Sequence, residues 1–263
     1  MDTPFSFDRA AEYYDETRAF PPAVAGPVIA SLARALDPGS HILEIGIGTG
    51  RISIPLFERG FNITGLDLSR KMMGQLQEKL PPPHPRPTLV LGNAIDLPFR
   101  SGIFNTILAV HILHLIPAWQ EAVKEVLRVL ARGGGFIVGF ERHSPGAINA
   151  RIREQWDVIS RAHGYSRSQL VKFEPELMQD FLHELGASRE EWIACEWSRT
   201  DTPKQVIDRI NSRKWSSTWL VPEDIFPTTI AELRLWAMQE IGDLDQSYSQ
   251  TTQYIWERYW WNI

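Results

Sequence analysis

Cysteine is almost absent from this sequence, since Cys195 is the only one among 263 residues. A single thiol excludes a disulfide framework and any metal site built from several thiolates. Cys195 lies in the strand-like run EWIACEWSR, and we expect a small buried apolar residue rather than a nucleophile. The sequence also lacks an apolar run of the ~18 residues that a membrane-spanning helix needs. We therefore expect no membrane insertion.

Positive charge is scarce as well. The chain has 27 lysines and arginines against 32 aspartates and glutamates, with a formal net charge of −5 and no run of five like charges. A nucleic-acid partner usually requires a basic patch to meet phosphates, and none is evident. The first residues, MDTPFSFDRAAEYY, are acidic and amphipathic and do not resemble a secretory signal. These features predict a cytoplasmic protein without a nucleic-acid partner.

Strands and helices alternate over the first 140 residues. Five apolar runs predict buried strands: HILEI, NITGLDL, TLVLGNA, FNTILAVHI and GFIVGFE. Apolar residues at helical spacing predict helices before and between them, including one over 6–19, one that begins after Ser69 and one that ends at ARGGG. Strands that are apolar on both faces indicate a doubly wound α/β fold, a parallel sheet with helices on both sides.

The second half of the chain has a different character. Helices are expected within 146–185 and around 203–213 and 223–240, and strands in EEWIACEWSRT and YSQTTQYIWERYWW. No linker separates the halves. The sequence therefore predicts one domain over 1–263, within which we expect three accessory parts: an N-terminal helix or lid over 1–22 and helical cap insertions over 144–172 and 200–247.

The stretch HILEIGIGTG places a carboxylate and three glycines at the end of the first strand. Ligands of doubly wound sheets bind at the carboxyl ends of strands, where glycines let the backbone approach them closely. Asp67 ends the second strand, 21 residues after Gly46. A carboxylate at that position can accept both ribose hydroxyls of a nucleoside. Its alternative role is that of an acid at the start of the next helix.

The glycine spacing and Glu44 discriminate between nucleoside cofactors. A dinucleotide site uses G-x-G-x-x-G to place pyrophosphate at the helix N-terminus, whereas this loop is G-x-G-x-G. Glu44 precedes the first glycine by two residues and would repel a pyrophosphate. It would attract an ammonium group. The ligand that combines adenosine, ribose and an amino acid is S-adenosylmethionine, which we predict as the cofactor.

The ordered motifs resemble those of class I S-adenosylmethionine-dependent methyltransferases of the ubiquinone/menaquinone and small-molecule type. The motifs are HILEIGIGTGRISIPLFERGFNITGLDLSRKMM, LVLGNAIDLPF, FNTILAVHILHLI and VLRVLARGGGFIV. The resemblance covers roughly residues 5–140. It implies a seven-stranded, mostly parallel Rossmann-like sheet in the order 3-2-1-4-5-7-6, with strand seven antiparallel. The helices at 203–240 would then be an insertion between strands six and seven.

The resemblance also implies roles for particular residues. Those that would hold the methionine end are Glu44, Gly46, Gly48, Gly50, Tyr14 and Arg18. Asp67 would hold the ribose, and His111 would face the sulfonium region. The residues that would contact the adenine are Leu68, Met72, Asn93 and Ala94. Asn93 departs from the family pattern, which often has Asp there, and Asn105 likewise replaces a usual Asp, so we expect a structural role for Asn105.

Methyl transfer needs positioning and, for some acceptors, a base. His111 and His114 follow strand four and are the candidate catalytic residues, although His114 has the alternative of local packing. His143, Trp215 and Trp219 are candidate substrate-binding residues, and the tryptophans have the equal alternative of forming core. No third ligand lies at a matching spacing from the two histidines, so no metal site is predicted.

The predicted function is methyl transfer from S-adenosylmethionine to a small-molecule acceptor, apolar or aromatic in character. The alternatives are an RNA or protein methyltransferase, disfavoured for RNA by the acidic chain, and a non-catalytic protein that binds S-adenosylmethionine. A nicotinamide oxidoreductase is disfavoured by Glu44 and by the glycine spacing. The sequence determines neither the acceptor nor the oligomeric state.

Overall fold

The computed structural model describes residues 6–165 and 173–261. These residues contain seven strands: β1 (His41–Ile45), β2 (Asn62–Asp67), β3 (Thr88–Leu91), β4 (Phe104–Val110), β5 (Leu130–His143), β6 (Ser188–Asp201) and β7 (Tyr248–Trp260). They form one sheet in the order β3-β2-β1-β4-β5-β7-β6, mostly parallel with β7 antiparallel. The predicted doubly wound α/β fold and strand order are confirmed.

Helices flank the sheet strands. The described residues contain nine: α1 (Tyr14–Arg18), α2 (Pro22–Ala35), α3 (Ser53–Phe57), α4 (Arg70–Lys79), α5 (Trp119–Val129), α6 (Ile148–Ala162), α7 (Pro175–Glu184), α8 (Pro203–Asn211) and α9 (Phe226–Glu240). The predicted cap of α4 is confirmed, because the Ser69 hydroxyl accepts a hydrogen bond from Met72 N at 3.1 Å. One-turn 3₁₀ helices lie at Leu113–Leu115 and Ser216–Thr218.

The predicted helix over 6–19 is wrong for most of its length. Only Tyr14–Arg18 is α-helical, and the preceding residues form turns such as the one closed by Ala10 N and the Phe7 carbonyl at 2.9 Å. Asp8 lies in these turns, and its carboxylate bonds to residues of the distant α4 start. This tertiary contact favours the turns over a regular helix. Residues 1–5 of the predicted lid lie outside the described residues.

Two further predictions need correction. Strand β5 begins at Leu130, directly after α5, and runs through the glycines that we expected to end the helix. An irregularity in its pairing with β4 and a positive φ of 73° at Gly133 accommodate them there. Cys195 is half-exposed rather than buried, because β6 is an edge strand of the sheet.

The parallel register brings three chain segments to one edge of the sheet. Ile45 of β1 pairs with Leu66 of β2 and with Ala109 of β4. The three strands therefore end level with one another, and the residues that follow them meet at the carboxyl edge. Sequence reasoning placed the candidate site at this edge.

The chain divides into two compact units. The first comprises Met1–Phe140, Val171–Cys195 and Tyr254–Ile263, and the second comprises Glu141–Leu170 and Glu196–Gln253. In the first unit, α5 buries Ala122, Val123 and Val126 in a core shared with the strands. In the second, α6, α8 and α9 form their own core, with Ile152, Ile207 and Leu233 completely or almost completely buried.

The predicted cap insertions, 144–172 and 200–247, overlap the second unit in sequence. Residues 166–172 of the first insertion lie outside the described residues. The assignment of these segments as a cap, and of residues 1–22 as a lid, stays a prediction.

We predict that Gly65→Ala lowers the free energy of unfolding by about 1–3 kcal/mol, the cost of overpacking a core. A Cβ at Gly65, inside buried strand β2, would overlap Ile47 Cδ1 and lie 2.9 Å from Ile47 Cβ. The matched control is Gly74→Ala in α4, where a Cβ meets nothing within 4 Å and helix propensity improves. Urea unfolding should show a loss for the first variant and a small gain for the second. Equal stabilities would contradict the packing argument.

Candidate active site

The loop after β1 requires its three glycines. Gly46, Gly48 and Gly50 have φ values of 70°, 57° and 82°, a region that side chains with a Cβ rarely adopt. A Cβ on Gly46 would also lie 2.7 Å from Ile112 Cγ1. The loop folds back on β2, because Gly46 N and the following amide both donate to the Leu66 carbonyl, at 2.7 and 3.1 Å.

Asp67 joins this loop to the turn after β2. Its Oδ2 accepts from Gly48 N at 2.8 Å and its Oδ1 accepts from Ser69 N at 2.8 Å. Burial raises the pKa of Asp67 above its ordinary value, while these backbone amides act in the opposite direction. A carboxylate has about four lone-pair sites, so beside these amides and that of Leu68 the side chain can still accept from a ligand hydroxyl.

Glu44 is a buried carboxyl group at the floor of the site. Glu44 is 3% exposed, and its Oε2 accepts a hydrogen bond from the Ser53 hydroxyl of α3. Burial raises the pKa of Glu44 to about 8, although Ser53 and the positive charge of Arg51 lower it. The group is therefore mostly neutral at pH 7 when no cation is beside it. A bound ammonium group would favour the ionised form.

Exposed apolar side chains lie beside the carboxylates. Leu68, Leu91 and Ile95 are 38%, 47% and 38% exposed, and they follow or end strands β2 and β3. Leu91 pairs with Asp67 in the sheet register. An apolar surface next to a carboxylate that can accept from ligand hydroxyls fits the face of an adenine ring.

The other residues assigned to adenine differ in exposure. Met72 and Ala94 are buried, at 3% and 6%, and Ala94 belongs to the core of the first unit. Asn93 is half-buried, and its Oδ1 accepts from Ile95 N at 3.2 Å. The contacts of all three with adenine stay predictions. The structural role predicted for Asn105 is confirmed, since its Oδ1 accepts from His41 N at 2.9 Å.

His111 follows β4 with a strained backbone. Its φ of 53° lies in the left-handed region, which is uncommon for a residue other than glycine and often marks functional sites. Its ring lies edge-on to that of Tyr254, with 6.5 Å between the centroids. His114 lies in the 3₁₀ turn after it and has a different aromatic neighbour, Phe173, at 6.4 Å. The catalytic roles of both histidines stay predictions.

An aromatic cluster beside His111 was missed by sequence reasoning. The Tyr254 ring contacts the Phe20 ring at 5.1 Å and the Trp256 ring at 5.0 Å between centroids. Tyr254 and Trp256 are completely buried, whereas Phe20 and His111 are partly exposed. The sequence predicts the strand that carries Tyr254, but not its pairing with a side chain after β4.

Sequence reasoning also missed how residues 6–20, here called the N-terminal arm, attach to the site. The Asp15 carboxylate accepts from the Thr49 hydroxyl at 2.6 Å and pairs with Lys79 Nζ at 2.5 Å. Asp8 Oδ1 accepts from the Ser69 hydroxyl at 2.5 Å and from Lys71 N at 3.3 Å. Two carboxylates of the arm thus bind the glycine loop and α4.

The two arm residues assigned to the methionine carboxylate, Tyr14 and Arg18, have other contacts in the structure. The Tyr14 ring lies edge-on to Phe7, at 6.0 Å between centroids. The Arg18 carbonyl accepts a hydrogen bond from Arg51 Nη1 at 2.6 Å. Their roles toward the cofactor stay predictions.

The candidate substrate-binding residues His143, Trp215 and Trp219 belong to the second unit. His143 Nδ1 lies 3.0 Å from the Thr252 hydroxyl, and burial lowers the pKa of His143. The Trp215 ring packs against that unit's core and lies 4.2 Å from the guanidinium carbon of Arg153. Trp219 Nε1 donates to the Arg213 carbonyl at 3.0 Å. Their role in substrate binding stays a prediction.

Neither a metal-binding cluster nor a membrane-spanning helix is found among the described residues. In 6–165 and 173–261, no three His, Cys, Asp or Glu side chains come together in a way that would hold a metal ion. No helix in the same part of the chain combines the length and the apolar character needed to cross a bilayer.

The sheet order, with a glycine loop at the carboxyl edge, is that of the α/β fold of class I methyltransferases. Comparisons with known proteins agree. Residues 43–138 match the model of the methyltransferase domain family. A phosphatidylethanolamine N-methyltransferase from Cereibacter sphaeroides is 31% identical over 102 residues, 38% of this chain and 50% of that protein. The chain thus matches about half the length of this relative.

Two other similarities extend over most of the chain. An uncharacterized methyltransferase from Mycobacterium tuberculosis is 26% identical over 219 residues, 82% of this chain and 80% of that protein. The structure of phosphoethanolamine N-methyltransferase 2 from Haemonchus contortus, in complex with S-adenosyl-L-methionine, has a TM-score of 0.55 at 17% identity. It covers 96% of this chain and 56% of that one. Residues 43–138 are therefore similar to the methyltransferase domain family, and the chain has the fold of that S-adenosyl-L-methionine-bound structure.

We predict that Glu44→Gln stabilises the free protein in a pH-dependent way. The folded-state pKa of Glu44 is about 8 against an ordinary 4.5, so its contribution to stability is complete below about pH 4.5 and is lost as the pH rises through 8. In urea unfolding from pH 5 to 8, the free energy of unfolding of the wild type should decrease relative to that of the variant, by on the order of a few kcal/mol.

The control for this prediction is Glu58→Gln, which changes an exposed carboxylate just after α3. Its difference from the wild type should stay constant over the same pH range. A constant difference for Glu44→Gln as well would show that burial does not shift this carboxyl group.

Proposed function

We propose that this protein transfers a methyl group from S-adenosylmethionine to an apolar or aromatic small molecule, by in-line displacement at the methyl carbon. One observation carries the proposal: a buried carboxyl group, Glu44, and a ribose-type carboxylate, Asp67, flank the Gly46–Gly50 loop at the carboxyl edge of the sheet. When bound, the cofactor supplies the electrophilic methyl group. The protein supplies binding, orientation and exclusion of water.

The residues of the first unit fit the chemical parts of the cofactor. Glu44 would bind the methionine ammonium group, and the ammonium charge would offset the cost of ionising a buried carboxyl group. Asp67 would accept from the ribose hydroxyls with its remaining lone pairs. The exposed apolar side chains Leu68, Leu91 and Ile95 would cover the adenine ring.

His111 is the residue best placed to act on the acceptor. Its strained backbone follows β4, at the same edge of the sheet as the glycine loop. With a neutral ring, it would accept a proton from an acceptor hydroxyl or amine, or orient that group by a hydrogen bond. The buried Tyr254 ring lies beside it, and the partly exposed Phe20 ring packs against Tyr254, so the apolar neighbourhood favours an apolar or aromatic acceptor.

The function is tested by incubating the protein with a metabolite extract and S-adenosylmethionine labelled in its methyl group, followed by identification of the labelled product. The extract should be supplemented with amines, because two of the compared proteins are named N-methyltransferases. A labelled small molecule supports the proposal. Label found only in RNA or protein would replace it with one of the alternatives. Binding of the cofactor without any labelled product would indicate a non-catalytic binding protein.

We predict that Asp67→Asn weakens binding of S-adenosylhomocysteine by roughly 1.5–3 kcal/mol, the range for hydrogen bonds to a charged group. The amide keeps one acceptor oxygen but cannot serve both the loop amides and both ribose hydroxyls. Calorimetry measures the change. The control is Asp37→Asn, in the exposed turn before β1, which should bind like the wild type. Wild-type affinity of the Asp67 variant, or preferential binding of NAD by the wild type, would contradict the cofactor assignment.

We also predict that the affinity for S-adenosylhomocysteine increases with pH up to about 8. Below that value Glu44 is protonated in the free protein, so binding an ammonium group beside it must release a proton. The dissociation constant should then fall by up to about tenfold per pH unit and level off above pH 8. In Glu44→Gln the affinity should be weaker and nearly independent of pH over this range. A wild-type affinity that does not change from pH 6 to 8 would rule out an ammonium group at Glu44.

A further inference from the structure

Arg51, directly after the glycine loop, is held by the N-terminal arm. Its Nη1 donates to the Arg18 carbonyl at 2.6 Å, and its guanidinium carbon lies 4.3 Å from the centroid of the Phe20 ring. A cation over an aromatic face is attracted by the ring, so both contacts restrict the guanidinium to one place. Arg51 itself is half-buried, at the boundary between the arm and the loop.

The same guanidinium group affects the buried carboxyl group of Glu44. Its positive charge lowers the pKa of Glu44 against the larger effect of burial. The Glu44 carboxyl group already accepts from Ser53 and has no hydrogen bond with Arg51 in the described chain. A positive and a potentially negative group thus lie near each other without pairing directly. This leaves each of them able to bind an opposite charge on a ligand.

The hydrogen-bond donors of the Arg51 side chain support a role in binding a ligand. A guanidinium group has five N–H donors in a planar fork. Within the described residues it donates through Nη1 alone, to the Arg18 carbonyl. The rest of the fork matches a carboxylate, which arginine binds with two parallel hydrogen bonds.

We infer that Arg51 is a further cofactor-binding residue, which binds the α-carboxylate of the methionine end while Glu44 binds the ammonium group, and that the N-terminal arm fixes its position. The inference rests on the proposed function of the site. Two neighbouring groups of opposite charge recognise a zwitterionic amino acid, whereas a pyrophosphate would meet repulsion from one of them. Arg18 then contributes through its backbone carbonyl, as a positioning residue for Arg51.

The decisive experiment compares two ligands that differ by the amino-acid part. S-adenosylhomocysteine carries it, and 5′-methylthioadenosine lacks it. Arg51→Gln should weaken binding of the first by roughly tenfold to a hundredfold, the equivalent of one lost charge-assisted hydrogen bond, and leave binding of the second unchanged. The control is Arg59→Gln, another arginine near α3, whose Nη1 donates to the Pro55 carbonyl. It should bind both ligands like the wild type.

Decarboxylated S-adenosylmethionine separates the two charges of the amino acid. It keeps the amine and lacks the carboxylate, so above pH 8, where Glu44 is ionised, Arg51→Gln should weaken its binding much less than that of S-adenosylhomocysteine, whereas Glu44→Gln should weaken both. Arg51→Lys keeps the charge without the fork and should restore part of the affinity for S-adenosylhomocysteine. A similar loss for all ligands in Arg51→Gln would indicate a structural role only and overturn the inference.

The role of the arm is tested by a double-mutant cycle. Phe20→Ala removes the ring under the guanidinium and should weaken S-adenosylhomocysteine binding in the wild type, but add little in an Arg51→Gln background. Additive losses would show that the arm acts independently of Arg51. If the wild type binds neither S-adenosylhomocysteine nor 5′-methylthioadenosine, the proposed function itself is wrong. If it binds both and Arg51→Gln changes neither, only this inference is wrong.

Discussion

The candidate site depends on the pair of hydrogen bonds that Asp67 accepts, from Gly48 N and from Ser69 N. They join the loop after β1 to the turn that starts α4, so two separate strand ends become one surface. The glycines can take left-handed conformations without this carboxylate, but it selects the arrangement in which Gly48 faces β2. The N-terminal arm then attaches to the same surface through Asp8 on Ser69 and Asp15 on Thr49.

Glu44 shows how function opposes stability at this site. A carboxyl group that is 3% exposed has a raised pKa and destabilises the folded chain whenever it ionises. A leucine at this position would be expected in a purely structural strand of this burial. The carboxyl group becomes favourable only when a cation is beside it. In the proposed function, this burial would strengthen the interaction with a bound ammonium group, because the surroundings screen charge poorly.

Several predictions from the sequence were confirmed, and the failures have a common cause. The strands and the cap by Ser69 were predicted well, because they depend on local periodicity and spacing, and the strand order was implied by the family resemblance. The helix over 6–19, the start of β5 after the glycines and the burial of Cys195 were predicted wrongly. In each case the tertiary arrangement decided the outcome: contacts with α4 for the arm, pairing with β4 for the start of β5, and the position of β6 at the sheet edge for Cys195.

By itself, the sequence determined the positions of Glu44, the glycines and Asp67 at the carboxyl ends of strands. Parallel strands end at one edge, so these residues can be brought together from their order alone. The tertiary structure alone decided that Arg51 lies between Arg18 and Phe20, and that Tyr254 of β7 meets His111. These partners are distant in sequence or follow no repeating spacing. Contacts of that kind depend on how whole segments pack, and no local pattern encodes them.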